Sequence, residues 1–71
     1  MQVNKLAGYM REHGYTQESL ANESGVSRAT ISRLLAGNNV TIDQVSKIVK
    51  ALKMPASTAS EIFFEDFKSQ N

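Results

Sequence analysis

Between Gln17 and Ala36 the chain reads QESLANESGVSRATISRLLA, and the last third of that stretch carries the side chains most able to do chemistry. Ile31, Leu34 and Leu35 recur at i, i+3 and i+4, the spacing of one buried helical stripe. Arg28, Ala29, Thr30, Ser32 and Arg33 are then left to face outward. A guanidinium offers a planar fork that pairs with a guanine edge, hydroxyls pair with any base, and the methyls of Ala and Thr meet the thymine methyl. A short helix presenting those five residues is shaped to enter the major groove of a DNA duplex and touch its bases. Arg28 and Arg33 are five positions apart, about 140° around a helix, so both cannot aim straight into one groove. Arg28, in the first turn, is expected at base edges, and Arg33 at an outer base or a phosphate. Ala29 serves equally well as a small residue giving clearance, and Ser32 as a solvated hydroxyl.

Such a helix must be held at an angle by what precedes it. Leu20 and Ala21 belong to a preceding helix that Gly25 breaks, as a left-handed residue after a helix end does. Val26 is apolar and plugs the angle between the two helices. Ser27 is a good N-cap for the second helix, and Thr16 for the first. Glu18 adds an anion in the first turn, where the helix dipole favours it.

These residues resemble the phage repressor/Cro helix-turn-helix family. The match rests on Gln17, Leu20, Ala21, Gly25, Val26 and Ile31, and on the LLAGN exit from Leu34 to Asn38. The Thr16-Gln17 pair, the apolar helix from Ile42 to Leu52 and the Ala51-Leu52-Lys53-Met54 ending fit as well. Ser24 departs from the pattern, which more often has an apolar residue or Ala there; its hydroxyl is expected to bond back to a helix carbonyl. The resemblance implies an all-α, five-helix domain whose second and third helices form the helix-turn-helix. It implies a sequence-specific transcriptional regulator, a Cro-like repressor occupying a double-stranded DNA operator as a homodimer. In that family the glutamine matching Gln17 abuts a phosphate, and the exposed amides of a helix start suit an anion. Thr16 shares that environment. Asn38 and Asn39 stand where the family's loop meets the opposite phosphates, although asparagine also suits a left-handed turn.

The remaining pattern supplies three further helices. One runs from about Asn4 to His13, with Leu6, Tyr9 and Met10 inward and Gly14 stopping it. Tyr15 is expected to pack under the second helix. Thr41 caps a fourth helix whose stripe is Ile42, Val45, Ile48, Val49 and Leu52. A fifth spans roughly 56–67, opened by Pro55 or by a Thr58–Glu61 capping box. Its Ile62, Phe63, Phe64 and Phe67 are crowded. Adjacent Phe63 and Phe64 point about 100° apart, so one small core does not readily bury both. Phe63, Phe64 and Phe67 are therefore candidates for a dimer interface.

Seventy-one residues, 41% of them hydrophobic, are enough for one small domain, expected to span 1–71. The chain has no cysteine, hence no disulfide and no thiolate metal site. No metal, cofactor or small-molecule ligand is expected, and no membrane span. His13 is the sole histidine, so no catalytic triad can be assembled, and the chain does not read as an enzyme. Residues 1–53 carry seven cations against four anions, and residues 54–71 one against three. That weak basic bias leaves affinity to dimerisation and to neutral donors at phosphates. A bacterial cytoplasm, the host's own or a phage's, is the expected setting. The main alternative is an antitoxin or anti-repressor that binds another protein through its C-terminal helix. A controller of neighbouring genes and a fragment of a longer repressor are further alternatives.

Overall fold

The computed structural model describes residues 1–64. Five helices follow one another: α1 (Val3–Glu12), α2 (Gln17–Ser24), α3 (Arg28–Leu35), α4 (Ile42–Leu52) and α5 (Ala56–Phe63). Among the described residues there is no strand. The expected reach of α5 to residue 67 is corrected: the helix ends at Phe63, with Phe64 as its non-helical C-cap at φ −120°. Phe67 lies outside the described residues.

Each of the first four helices contributes at least one completely enclosed side chain to a common core. Leu6, Leu20, Ile31, Leu34 and Ile48 are all 0% exposed. Met10, Val26, Leu52, Met54, Ala59 and Ile62 complete the cluster. Each such side chain is worth ~1.5–3 kcal/mol relative to leaving it in water. That matters here, because helices of eight residues do not persist alone.

Hydroxyl caps define the starts of α2, α3 and α4. Thr16 Oγ1 accepts the Ser19 N–H at 3.0 Å while Ser19 Oγ accepts the Thr16 N–H at 2.9 Å. Thr41 and Gln44 form the same reciprocal pair at the head of α4. Ser27 caps α3 through the Thr30 N–H. The ends of α2 and α4 are closed by left-handed residues. Gly25 has φ +76° and sends its N–H to the Ala21 carbonyl at 3.0 Å. Lys53 ends α4 at φ +54°, and Met54 then folds into the core with its N–H on the Val49 carbonyl. Two tyrosines finish that end: Tyr15 donates to the Ala51 carbonyl at 3.0 Å and Tyr9 to the Leu52 carbonyl at 3.4 Å. Last-turn carbonyls that α4 itself cannot satisfy thus find partners.

Several local expectations are corrected. Ser24 Oγ accepts the Val26 N–H at 3.1 Å, so it serves the turn ahead and not a helix carbonyl behind. The Thr58–Glu61 capping box does not form, because α5 begins at Ala56 behind Pro55 and encloses both residues. Glu61 instead pairs with Lys5 of α1. The Gln2 N–H donates to the Ile62 carbonyl at 2.8 Å, which ties the start of the chain to α5. Ile42 is 63% exposed although it lies in the apolar stripe of α4. It is the helix's first residue, and cover begins only one turn later, at buried Val45. Periodicity gives the face of a helix, not how far its neighbours extend along the axis.

A Cβ built on Gly25 meets nothing within 4 Å, so a side chain there costs only backbone strain. Gly25→Val is expected to destabilise the fold by ~1–2 kcal/mol, the cost of a left-handed L-residue. Thermal unfolding followed by circular dichroism measures it, and an unshifted midpoint contradicts it.

Candidate nucleic-acid interface

The outward face of α3 begins at the Ser27 cap and is set by the complete burial of Ile31 and Leu34 on its opposite side. Arg28, Ala29, Ser32 and Arg33 are exposed, as their spacing predicts. Among the described residues, the Arg28 guanidinium has no hydrogen bond or ion pair, so its fork is open to an incoming acceptor. Ala29 adds a methyl group to the same face without bulk.

Thr30 is the exception. It is 6% exposed and sits inside the cap of its own helix. Ser27 Oγ donates to Thr30 Oγ1 at 2.9 Å, and the Arg33 guanidinium lies back along α3 to donate to the same oxygen at 3.4 Å. The expectation that Thr30 faces a base is therefore corrected: its side chain is enclosed. On a helical wheel it lies about 40° from Leu34, so the burial follows from position once polarity is set aside.

The start of α2 stands beside this face. Ser32 Oγ donates to Gln17 Oε1 at 3.1 Å, joining the two helices across fifteen residues of sequence. With its oxygen engaged, the Gln17 amide keeps two N–H groups to donate. Thr16 and Gln17 share an open crevice with Arg11, Tyr15 and Leu35. The backbone N–H groups of Gln17 and Glu18 have no acceptor among the described residues. The crevice therefore offers amide donors and a guanidinium to an anion such as a phosphate. In the sequence Arg11 is an ordinary polar residue near the end of α1; only the packing of α1 against α3, with Leu35 in the same crevice, brings it here.

At the other end of α3, Arg33 lines an open groove with Asn38, Asn39, Thr41 and Gln44. Both asparagines are exposed. Neither takes left-handed geometry, since Lys53 is the only non-glycine residue with positive φ among the described residues. The turn is made by Gly37 at φ +92°, and the Asn38 N–H closes α3 on the Arg33 carbonyl at 3.0 Å. The asparagine side chains are thus released from turn-making. Gln44 is a second residue that the sequence did not single out; it enters this groove through its role in the α4 cap.

His13 lies at the end of α1 with its ring stacked on Tyr9, centroids 4.1 Å apart, away from any acidic or histidine cluster. The described residues hold no group of three or more His, Cys, Asp or Glu able to bind a metal, and no helix long and apolar enough to cross a membrane.

Elsewhere, α4 and α5 leave an apolar groove lined by Ile42, Val45, Val49, Ala56, Ala59 and Phe64. The two phenylalanines divide their roles. Phe63 packs against the core, while Phe64 lines the groove, their ring centroids 6.4 Å apart.

The family model for the helix-turn-helix domain matches residues 6–58. The chain matches no curated protein and no solved structure.

Because the Thr30 hydroxyl belongs to the α3 cap, the near-isosteric Thr30→Val is expected to lower stability by ~0.5–1.5 kcal/mol through lost hydrogen bonds. Chemical denaturation measures this. A variant as stable as the wild type removes the hydroxyl from the cap's energetics.

Proposed function

The chain belongs to the helix-turn-helix family of Cro/CI-type repressors, DNA-binding transcription regulators, and on that premise we propose that it is a Cro-like repressor acting by operator occupancy as a homodimer. The observation that carries this reading is the face of α3, where Arg28, Ala29, Ser32 and Arg33 stand exposed on a helix anchored by Ile31 and Leu34. In the proposed complex α3 lies in the major groove. Arg28 and Ala29 meet base edges, and Arg33 meets an outer base or a phosphate. Thr16 and Gln17 hold a phosphate at the start of α2, with Arg11 beside them. Asn38 and Asn39 meet the backbone on the other side. Ser32 has its hydroxyl proton committed to Gln17, which leaves its lone pairs for any other contact. The setting for such a regulator is a bacterial cytoplasm, where it meets duplex DNA without a cofactor or small-molecule effector.

The homodimer reading is supported by the apolar groove between α4 and α5. Ile42 projects beside a groove that Phe64 closes, so one patch carries both a knob and a hole. That is the self-complementary arrangement an isologous two-fold contact uses. Two copies joined there are proposed to hold their α3 helices about 34 Å apart, one turn of DNA. Phe63 contributes from behind the groove. Phe67, outside the described residues, is proposed as part of the same contact. The rival occupant of the groove is a different protein, as in an antitoxin or anti-repressor.

Selection of bound duplexes from a random pool tests the function. A two-fold symmetric consensus is expected, and recovery of no enriched sequence overturns the reading. On the selected site, Arg28→Ala is expected to lose ~1–3 kcal/mol and to relax preference at one base pair. Gln17→Ala is expected to weaken selected and scrambled duplexes alike, because phosphates carry no sequence code. Titration of both duplexes separates the two behaviours, and equal losses for Arg28→Ala make it a phosphate contact.

Ile42→Glu and Phe64→Glu test the assembly. Both are expected to give folded monomers in sedimentation equilibrium, with steeply weaker binding to the full site and little change on a half-site. Variants that remain dimeric move the interface elsewhere. A monomeric wild type that captures a different chain through this groove favours the antitoxin class.

A further inference from the structure

We propose that Ser32 is a positioning residue for phosphate binding, a latch that sets which way the Gln17 amide faces, and not a reader of bases. The proposal rests on the DNA-binding reading above and adds the cause of one contact within it. Ser32 Oγ donates to Gln17 Oε1 at 3.1 Å, and this is a hydrogen bond between the two helices of the motif. A hydroxyl has a single proton, so Ser32 has spent its donor on Gln17. A terminal amide has two faces of opposite polarity. Turned one way it presents two N–H donors, and turned the other it presents a carbonyl oxygen that repels a phosphate. By occupying the oxygen, Ser32 selects the donor-outward orientation in the crevice that Gln17 shares with Arg11 and Thr16.

The geometry also explains why this position holds a serine. Ser32 is exposed, so its hydroxyl is not required by the core, and Ala is the better helix former. The hydrogen bond ties the first residue of α2 to the fifth of α3, so the phosphate contact and the base-facing surface move as one body. Arg28 lies one turn earlier on α3 and is free to read bases while Ser32 is engaged.

A double-mutant cycle on the full-length protein tests the latch, with affinities measured on the selected duplex and on a scrambled one of equal length. Ser32→Ala is expected to lose about two- to tenfold on both duplexes, the worth of one neutral hydrogen bond. Ser32→Thr, which keeps the hydroxyl, restores binding. In a Gln17→Ala background, Ser32→Ala costs nothing further, because the latch has nothing to hold. Side-chain amide resonances of Gln17 in the DNA-free protein give an independent readout: Ser32→Ala is expected to shift them and lower their order, and Ser32→Thr is not. A loss confined to the selected duplex overturns the latch and makes Ser32 a base contact, and one that adds in full to Gln17→Ala overturns it by making Ser32 independent of Gln17. Unmoved Gln17 resonances with intact DNA binding overturn the latch alone. A wild-type protein that binds neither duplex, with the resonances moving as expected, overturns the DNA-binding reading and with it the phosphate role, while leaving the hydrogen bond established.

Discussion

Ile31 and Leu34 are both completely buried, and they hold in place a helix of eight residues that water alone would melt. Everything outward on α3 depends on that burial. The Arg28 fork is useful only on a surface that does not rotate, and rotation of α3 about its axis would lift two large apolar side chains out of the core. The same constraint reaches back through Val26, which is 5% exposed and sits in the turn between α2 and α3. Gly25 lets the chain make that turn in a left-handed conformation at no steric cost. The angle of the motif is therefore fixed by one residue with no side chain and one with a buried side chain.

The second support is polar and local. Thr16 with Ser19, Ser27 with Thr30 and Thr41 with Gln44 cap three successive helices. Each cap satisfies a helix-start N–H that would otherwise need water, typically at ~1 kcal/mol apiece. For helices of eight to eleven residues this is a large share of what local interactions can supply. Thr30 shows the economy of the arrangement. Its hydroxyl oxygen receives the Ser27 hydroxyl and the Arg33 guanidinium together, so the cap of α3 also steadies one of its cations.

Most of this architecture was legible in the sequence because it is written in short-range terms. Helix starts followed from Thr16, Ser27 and Thr41, the break from Gly25, and the buried stripe of α3 from three residues within five positions. Failures came where a rule of one kind met a constraint of another. Thr30 was read by its polarity, although its angular position beside Leu34 places it inside. Ile42 was read by its periodicity, although α4 outruns its cover by one turn. For Phe63 and Phe64 the sequence demanded that both not share one core, but which one turns inward is a matter of packing. The Ser32–Gln17 bond, Arg11 in the crevice and Gln44 in the groove join residues far apart in sequence or hidden behind another role. No local pattern announces them, and the helix packing has to be known first.

The charge distribution explains why such tertiary details matter. A chain with a formal net charge of +1 has little nonspecific attraction for a polyanion. With few cations to release counterions, binding has to come from well-placed neutral donors and from duplication of the site. Neutral donors are effective only when oriented, since a misaligned amide contributes little and a reversed one opposes an anion. Duplication is effective only when the spacing between copies is fixed. In the proposed reading the two requirements fall on different surfaces of the molecule: orientation on the hydrogen bonds and caps around α2 and α3, spacing on the apolar groove of α4 and α5. The core beneath them is continuous from Leu20 through Ile31 to Ile48 and Ile62, so the apolar groove and the α3 surface rest on one packed body.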